Sequence, residues 1–165
     1  MSSGDVYSAD GMHFRDLLAM LSDEPAVTPA PAPVDPPRST KPILCLDFDG
    51  VLHAYTSGWQ GVDVVADGPL PGAMRFLYKA VDVFDVHVHS SRSREPSGRE
   101  AMENAIIQWL ADELPLPVAA KTLMGLTFPS FKPPAMVTLD DRAVTFTGTF
   151  PDPVDLLTFT PWNKT

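Results

Sequence analysis

The stretch Ile43-Leu44-Cys45-Leu46-Asp47-Phe48-Asp49-Gly50-Val51-Leu52 decides how the rest of this sequence is read. Four apolar residues that run straight into acids suit a short strand buried on both faces, as in a parallel sheet. The strand ends on two aspartates, Asp47 and Asp49, and Gly50 permits the sharp turn that follows. In open parallel sheets, ligands bind just beyond the carboxyl ends of the strands. Asp47 and Asp49 therefore stand where a site is expected.

Working outward, residues 71–81 read as a helix with Pro71 in its first turn. Residues 83–89 read as a strand. Residues 97–113 read as a helix capped by Ser97, with Glu100 three positions on and Ile106, Ile107 and Leu110 as its apolar stripe. Residues 136–139 form a further strand that ends on acids, and 144–146 a short one. Asp152-Pro153 opens a last helical turn. This alternation predicts an α/β fold, with a mostly parallel sheet and helices on both faces. Residues 53–69 are long enough for a flap only, and 90–132 are filled by one helix and a strand. Neither leaves room for a large cap domain.

Asp140-Asp141 is a second acidic pair at a strand end. Neighbouring strands lie about 4.8 Å apart, so adjacent strand ends can present both pairs to one ion. Carboxylates at such range do not stay ionised without a cation. Hard oxygen donors favour Mg²⁺, which typically takes one or two carboxylates together with phosphate oxygens and waters. Ser90 ends another strand, where a hydroxyl and backbone N–H groups suit phosphate oxygens, and Arg92 adds a bidentate anion contact. His87 and His89 alternate on one strand face and read better as packed sheet histidines than as metal ligands. Lys132 lies eight residues before Asp140 and would limit repulsion between a nucleophilic carboxylate and a phosphate. Lys121 is its rival for that role. Tyr55 and Trp59 in the flap are equally suited to stacking on a base and to packing the flap down.

Together these elements resemble the haloacid-dehalogenase (HAD) superfamily over residues 41–155. Asp47 and Asp49 match its Asp-x-Asp motif, Ser90 its strand-end hydroxyl, Lys132 its lysine, and Asp140 and Asp141 its acidic pair. The resemblance implies a HAD-like Rossmannoid fold and a Mg²⁺-dependent phosphatase. Asp47 would be the nucleophile and Asp49 the general acid and base. Asp47, Asp49 (through its carbonyl), Asp140 and Asp141 would form the metal site, and Ser90, Arg92 and Lys132 would bind phosphate. Ser90-Ser91-Arg92 with Asp140-Asp141-Arg142 is similar to the phosphatase half of phage-type polynucleotide kinase-phosphatases. That likeness implies nucleotides or nucleic-acid 3′-phosphate ends as substrates. The chain has no Gly-rich phosphate loop with Lys-Ser/Thr, so kinase activity is not expected.

Composition narrows the classes. The chain has 165 residues and a net charge of −9, which argues against non-specific nucleic-acid binding. A single cysteine, Cys45, excludes an intrachain disulfide. No run approaches the ~20 apolar residues of a membrane span, and no secretory signal is evident, so a cytoplasmic protein with no membrane partner is expected. Residues 1–24 read as a flexible segment, with a short amphipathic helix at 10–21 on which Phe14, Leu17, Leu18 and Leu21 share a face. Residues 25–42 hold seven prolines and read as a semi-rigid linker to a phosphatase domain at 43–165. The helix is a candidate docking peptide for a protein partner. Two other readings compete with the phosphatase: a non-catalytic HAD-like binding module tethered by that helix, and a phospho-accepting signalling domain. Asp49 separates them, since turnover needs an acid and base whereas a lasting phospho-aspartate does not.

Overall fold

The computed structural model describes residues 40–164; the expected helix at 10–21 and nearly all of the proline run lie outside them. The described part is a Rossmannoid α/β unit. Its strands are β1 (Ile43–Leu46), β2 (Asp85–Val88), β3 (Leu126–Thr127) and β4 (Val137–Leu139), and its helices are α1 (Ala73–Val83), α2 (Pro96–Glu113) and α3 (Leu116–Met124). The sheet order is β3-β2-β1-β4, with every pairing parallel. No segment among the described residues is large enough for a separate cap domain.

β1 is central, and its Leu44, Cys45 and Leu46 are all buried, as the unbroken apolar run predicts. Its neighbours match it residue for residue, with Leu46 opposite Val88 on one side and Leu139 on the other. Three strands therefore end level at one edge of the sheet. The register continues past the strands: Asp47 N–H donates to Leu139 O, and His89 N–H to Leu46 O, both at 2.9 Å.

The two longer helices each bury one face. α1 buries Ala73, Met74, Leu77, Ala80 and Val81, an i, i+4, i+7 stripe. Met74 and Leu77 are fully buried, each stabilising the fold by roughly 1.5–3 kcal/mol. α2 buries Met102, Ile106, Ile107, Trp109 and Leu110. Trp109 lies parallel to Phe48 at 5.8 Å between ring centroids, which seats the Asp-x-Asp turn on this helix.

Several boundaries depart from the sequence reading. α2 starts at Pro96, in the first helical turn where its missing N–H costs nothing, and Ser97 is not the cap. α1 starts two residues late because Gly72, at φ 86°, occupies the capping position. α3 is a helix that the sequence does not announce, with Pro117 tolerated in its first turn. Residues 144–146 form no strand; they follow β4, the edge of the sheet, and are exposed. The expected last turn is a 3-10 turn at Asp155–Thr158, preceded by Asp152 Oδ1 accepting from Val154 N–H at 2.8 Å.

Candidate active site

The sheet brings the strand-end residues together. Asp47 follows β1, Asp140 and Asp141 follow the adjacent β4, and Ser90 lies just beyond β2 on the other side. Asp47, Asp140 and Asp141 each offer a carboxylate oxygen, all within 4.8 Å of one another. They border a cavity of about 260 Å³ whose lining includes Asp47, Asp49, Ser90, Asp140, Tyr55 and Arg142.

The electrostatics of this edge are uneven. Burial pushes the Asp47 carboxyl up to about 7, and the nearby charges of Asp140, Asp141 and Asp49 push in the same direction. Its Oδ1 does accept from Phe48 N–H at 2.8 Å, which opposes the shift. Asp141 is also raised, by burial first, while Arg142 partly offsets it. The Asp141 side chain has no solvent exposure, and Arg142 Nε stands 3.7 Å from its Oδ2. Neither oxygen has a hydrogen-bond partner among the described residues. A buried carboxylate left in that state is costly, and a bound cation would satisfy it. The donor set is all oxygen and fits a hard divalent ion such as Mg²⁺.

Asp49 lies in a different environment. Burial raises its pKa, but hydrogen bonds from His53 and Arg92 outweigh burial and hold it below the ordinary carboxylate value. Its Oδ1 is 2.8 Å from His53 Nδ1, and its Oδ2 accepts from Arg92 Nε at 2.8 Å. His53 Nε2 accepts from Asp67 N–H at 3.1 Å, which leaves the ring proton on Nδ1 facing Asp49. With both side-chain oxygens engaged, Asp49 is not among the three carboxylates that share a potential ion site.

The positive groups are distributed unexpectedly. Arg92 is fully buried and points into the protein. Its Nη1 donates to the carbonyls of Gly61 and Val62 in the flap, at 2.8 and 2.9 Å. Trp59 lies 4.6 Å from the guanidinium carbon, so this aromatic covers Arg92, while Tyr55 is buried at the cavity wall. Lys132 is exposed in the β3–β4 connection, where its charge bears on His89 and Cys45. Lys121 pairs with Asp82 at 2.9 Å on the surface. The cation in the cavity lining is Arg142. Ser90 is buried and caps the turn that carries Arg92; its Oγ accepts from Arg92 N–H at 3.4 Å, and its own N–H donates to Ser93 Oγ at 3.0 Å. His87 bonds Asp85 at 3.2 Å within the sheet.

No protein-family model, curated protein or solved structure matches this chain. The cluster at the sheet edge is of the kind that hydrolases use for catalysis or metal binding, set in a small α/β domain consistent with a HAD-like fold. Sequence reasoning passed over His53, although its position four residues after Asp49, across a turn made tight by Gly50, was a usable signal. It also passed over Trp162 and Asn163, which reach the same turn from more than 110 residues away; nothing in their local sequence marks them.

Proposed function

We propose that this chain is a Mg²⁺-dependent phosphomonoester hydrolase of the HAD type that works through a phospho-aspartate on Asp47. The observation that supports it most is the convergence of Asp47, Asp140 and Asp141 within 4.8 Å, at an edge that also carries Asp49 and Ser90. Asp47 attacks phosphorus in line, the bond from phosphorus to the leaving oxygen breaks, and an acyl phosphate forms on Asp47. Asp49 delivers a proton to the leaving oxygen and later takes one from the water that hydrolyses the acyl phosphate. The contacts from His53 and Arg92 favour the ionised form of Asp49, and so favour the second of these tasks. Ser90 accepts from Arg92 N–H, which leaves its hydroxyl proton for a phosphoryl oxygen. Arg142 and Lys132 supply positive charge from the rim. A Mg²⁺ ion held by Asp47, Asp140, the Asp49 carbonyl and Asp141 would neutralise the crowded carboxylates and polarise the phosphoryl group.

The absence of a large cap favours a phosphate at the end of a bulky molecule, such as a nucleotide or a nucleic-acid 3′ end. Arg142 and Tyr55 at the cavity would meet the group next to that phosphate. The test is hydrolysis of an aryl phosphate with Mg²⁺, with EDTA and by Asp47→Asn, followed by nucleotides and 3′-phosphorylated oligonucleotides. Turnover that requires both metal and Asp47 is expected. Turnover by Asp47→Asn at the wild-type rate would sink the phospho-aspartate.

A further inference from the structure

Gly50 lies where three distant parts of the chain meet. A Cβ at this position would fall 2.5 Å from Asp141 Oδ2 and 2.9 Å from Asn163 Nδ2. The Asp141 carboxylate and the Asn163 amide thus crowd the same point on the Asp-x-Asp-Gly turn. Residues on both sides of Asn163 pin it there. Trp162 Nε1 donates to Gly50 O at 3.1 Å, and Lys164 Nζ lies 5.6 Å from the centre of the Tyr55 ring.

The amide and the carboxylate share a second property. Nδ2 and Oδ1 of Asn163 and both oxygens of Asp141 are buried and have no hydrogen-bond partner among the described residues. Each such orphan is costly, and folded proteins hold few of them. Four in one place, with donors and acceptors both represented, point to a polar occupant that serves them together. Asp141 is also one of the three carboxylates able to share a cation. Mg²⁺ keeps several of its waters, and those waters direct their hydrogens outward to acceptors.

We infer that Asn163 is a positioning residue of the cation site. Its amide oxygen would accept from a water of the Mg²⁺ hydration shell, and its amide nitrogen would donate to a further water that in turn donates to Asp141. The Trp162–Lys164 turn is then a built-in part of the catalytic edge. A neutral amide suits the place, because it offers a donor and an acceptor without adding charge beside three carboxylates. The inference rests on the metal-dependent reading above.

The test is Mg²⁺ affinity by calorimetry on the full chain, for wild type, Asn163→Ala, Asn163→Asp and Asp141→Asn, together with unfolding midpoints in EDTA. Asn163→Ala is expected to weaken Mg²⁺ binding at least about 10-fold, the lower range for losing an outer partner of a metal site. Its midpoint in EDTA should change little, since its removal also removes two orphaned atoms. Asn163→Asp restores oxygen acceptors and should bind Mg²⁺ at least as tightly as wild type. Wild-type affinity in a folded Asn163→Ala overturns the inference, as does a loss confined to stability in EDTA. If Asn163→Ala does not fold, Asn163→Asp decides: affinity at or above wild type upholds the inference, and 10-fold weaker binding overturns it. If wild type binds no Mg²⁺, the metal-dependent reading fails and takes the inference with it. If Asp141→Asn abolishes binding and Asn163→Ala leaves it intact, the inference alone fails.

Discussion

Arg92 Nε donates to Asp49 Oδ2 at 2.8 Å from a side chain with no solvent exposure, across 43 positions of sequence. The same guanidinium holds the carbonyls of Gly61 and Val62. One cation therefore ties the proposed acid and base to the flap above it. Replacing Arg92 with Met leaves a buried carboxylate with His53 as its remaining partner. Breaking a buried pair from one side costs about 3–5 kcal/mol, so a loss near 3 kcal/mol is expected in urea unfolding. Arg92→Lys should recover only part of it, because a single ammonium cannot span Asp49 and the flap carbonyls together. Faster proteolysis within residues 56–66 should accompany both variants.

The burial of Asp47 and Asp141, reinforced by the neighbouring carboxylates, predicts an unusual dependence of stability on pH. Asp47 is raised from 3.8 to about 7 in the folded chain without metal. Between those values the folded chain holds a proton that the unfolded chain has released. This contribution is therefore fully present below about pH 4 and is lost as pH rises through about 7. Asp141, also raised, acts in the same sense. Asp49 acts oppositely: its stabilisation is present above 3.8 and is lost only as pH falls through its lower folded value. In EDTA the unfolding midpoint should fall from about pH 5 to pH 8. Saturating Mg²⁺ should remove that fall, since the ion replaces the proton. A flat profile in EDTA would mean that Asp47 is not buried beside the other carboxylates in solution.

The decisive parts of this architecture were local, which is why they could be read. An unbroken apolar run into Asp47-Phe48-Asp49-Gly50 fixes a buried strand and its turn, and the parallel register then sets Asp140 and Ser90 beside it. What could not be read depends on long-range direction. Arg92 looks the same in sequence whether it faces a phosphate or Asp49. His53 matters because Asp67 N–H, 14 positions away, fixes its tautomer. α3 lacks a side-chain cap and carries proline in its first turn, so its nine residues gave little periodic signal. Residues 144–146 are apolar and alternating enough to suggest a strand, but a strand also needs a neighbour, and here β4 remains the edge.

The choice between two lysines follows from topology. Lys121 pairs with Asp82 in the last turn of α1, and α1 leads directly into the start of β2. Lys121 is therefore at the end of the sheet opposite the aspartates. Lys132 instead bears electrostatically on His89, the residue before Ser90, and on Cys45 in β1. Lys132→Ala is expected to lower kcat/KM for an aryl phosphate by about 100-fold, the scale for losing one donor to a developing anion. Lys121→Ala should leave it unchanged. Equal and full activity in both variants would assign the anion contact to Arg142 alone.

Gly50 is the position at which backbone, proposed ion site and the Trp162–Lys164 turn constrain one another. Its φ of 89° lies in the left-handed region, where an L side chain costs roughly 1–2 kcal/mol. A Cβ would also meet Asp141 Oδ2 at 2.5 Å and Asn163 Nδ2 at 2.9 Å, so one or both must move. Overpacking of that kind adds about 1–3 kcal/mol, which makes a total of about 2–5 kcal/mol the expectation for Gly50→Ala. Gly148 is the matched control, since its φ of 96° is also left-handed and a Cβ there meets nothing within 4 Å. Because the atom displaced at Gly50 belongs to a carboxylate of the proposed cation site, Mg²⁺ affinity should fall along with stability. Loss of stability with unchanged Mg²⁺ affinity would show that Asp141 can be shifted without consequence, and would remove it from the metal site.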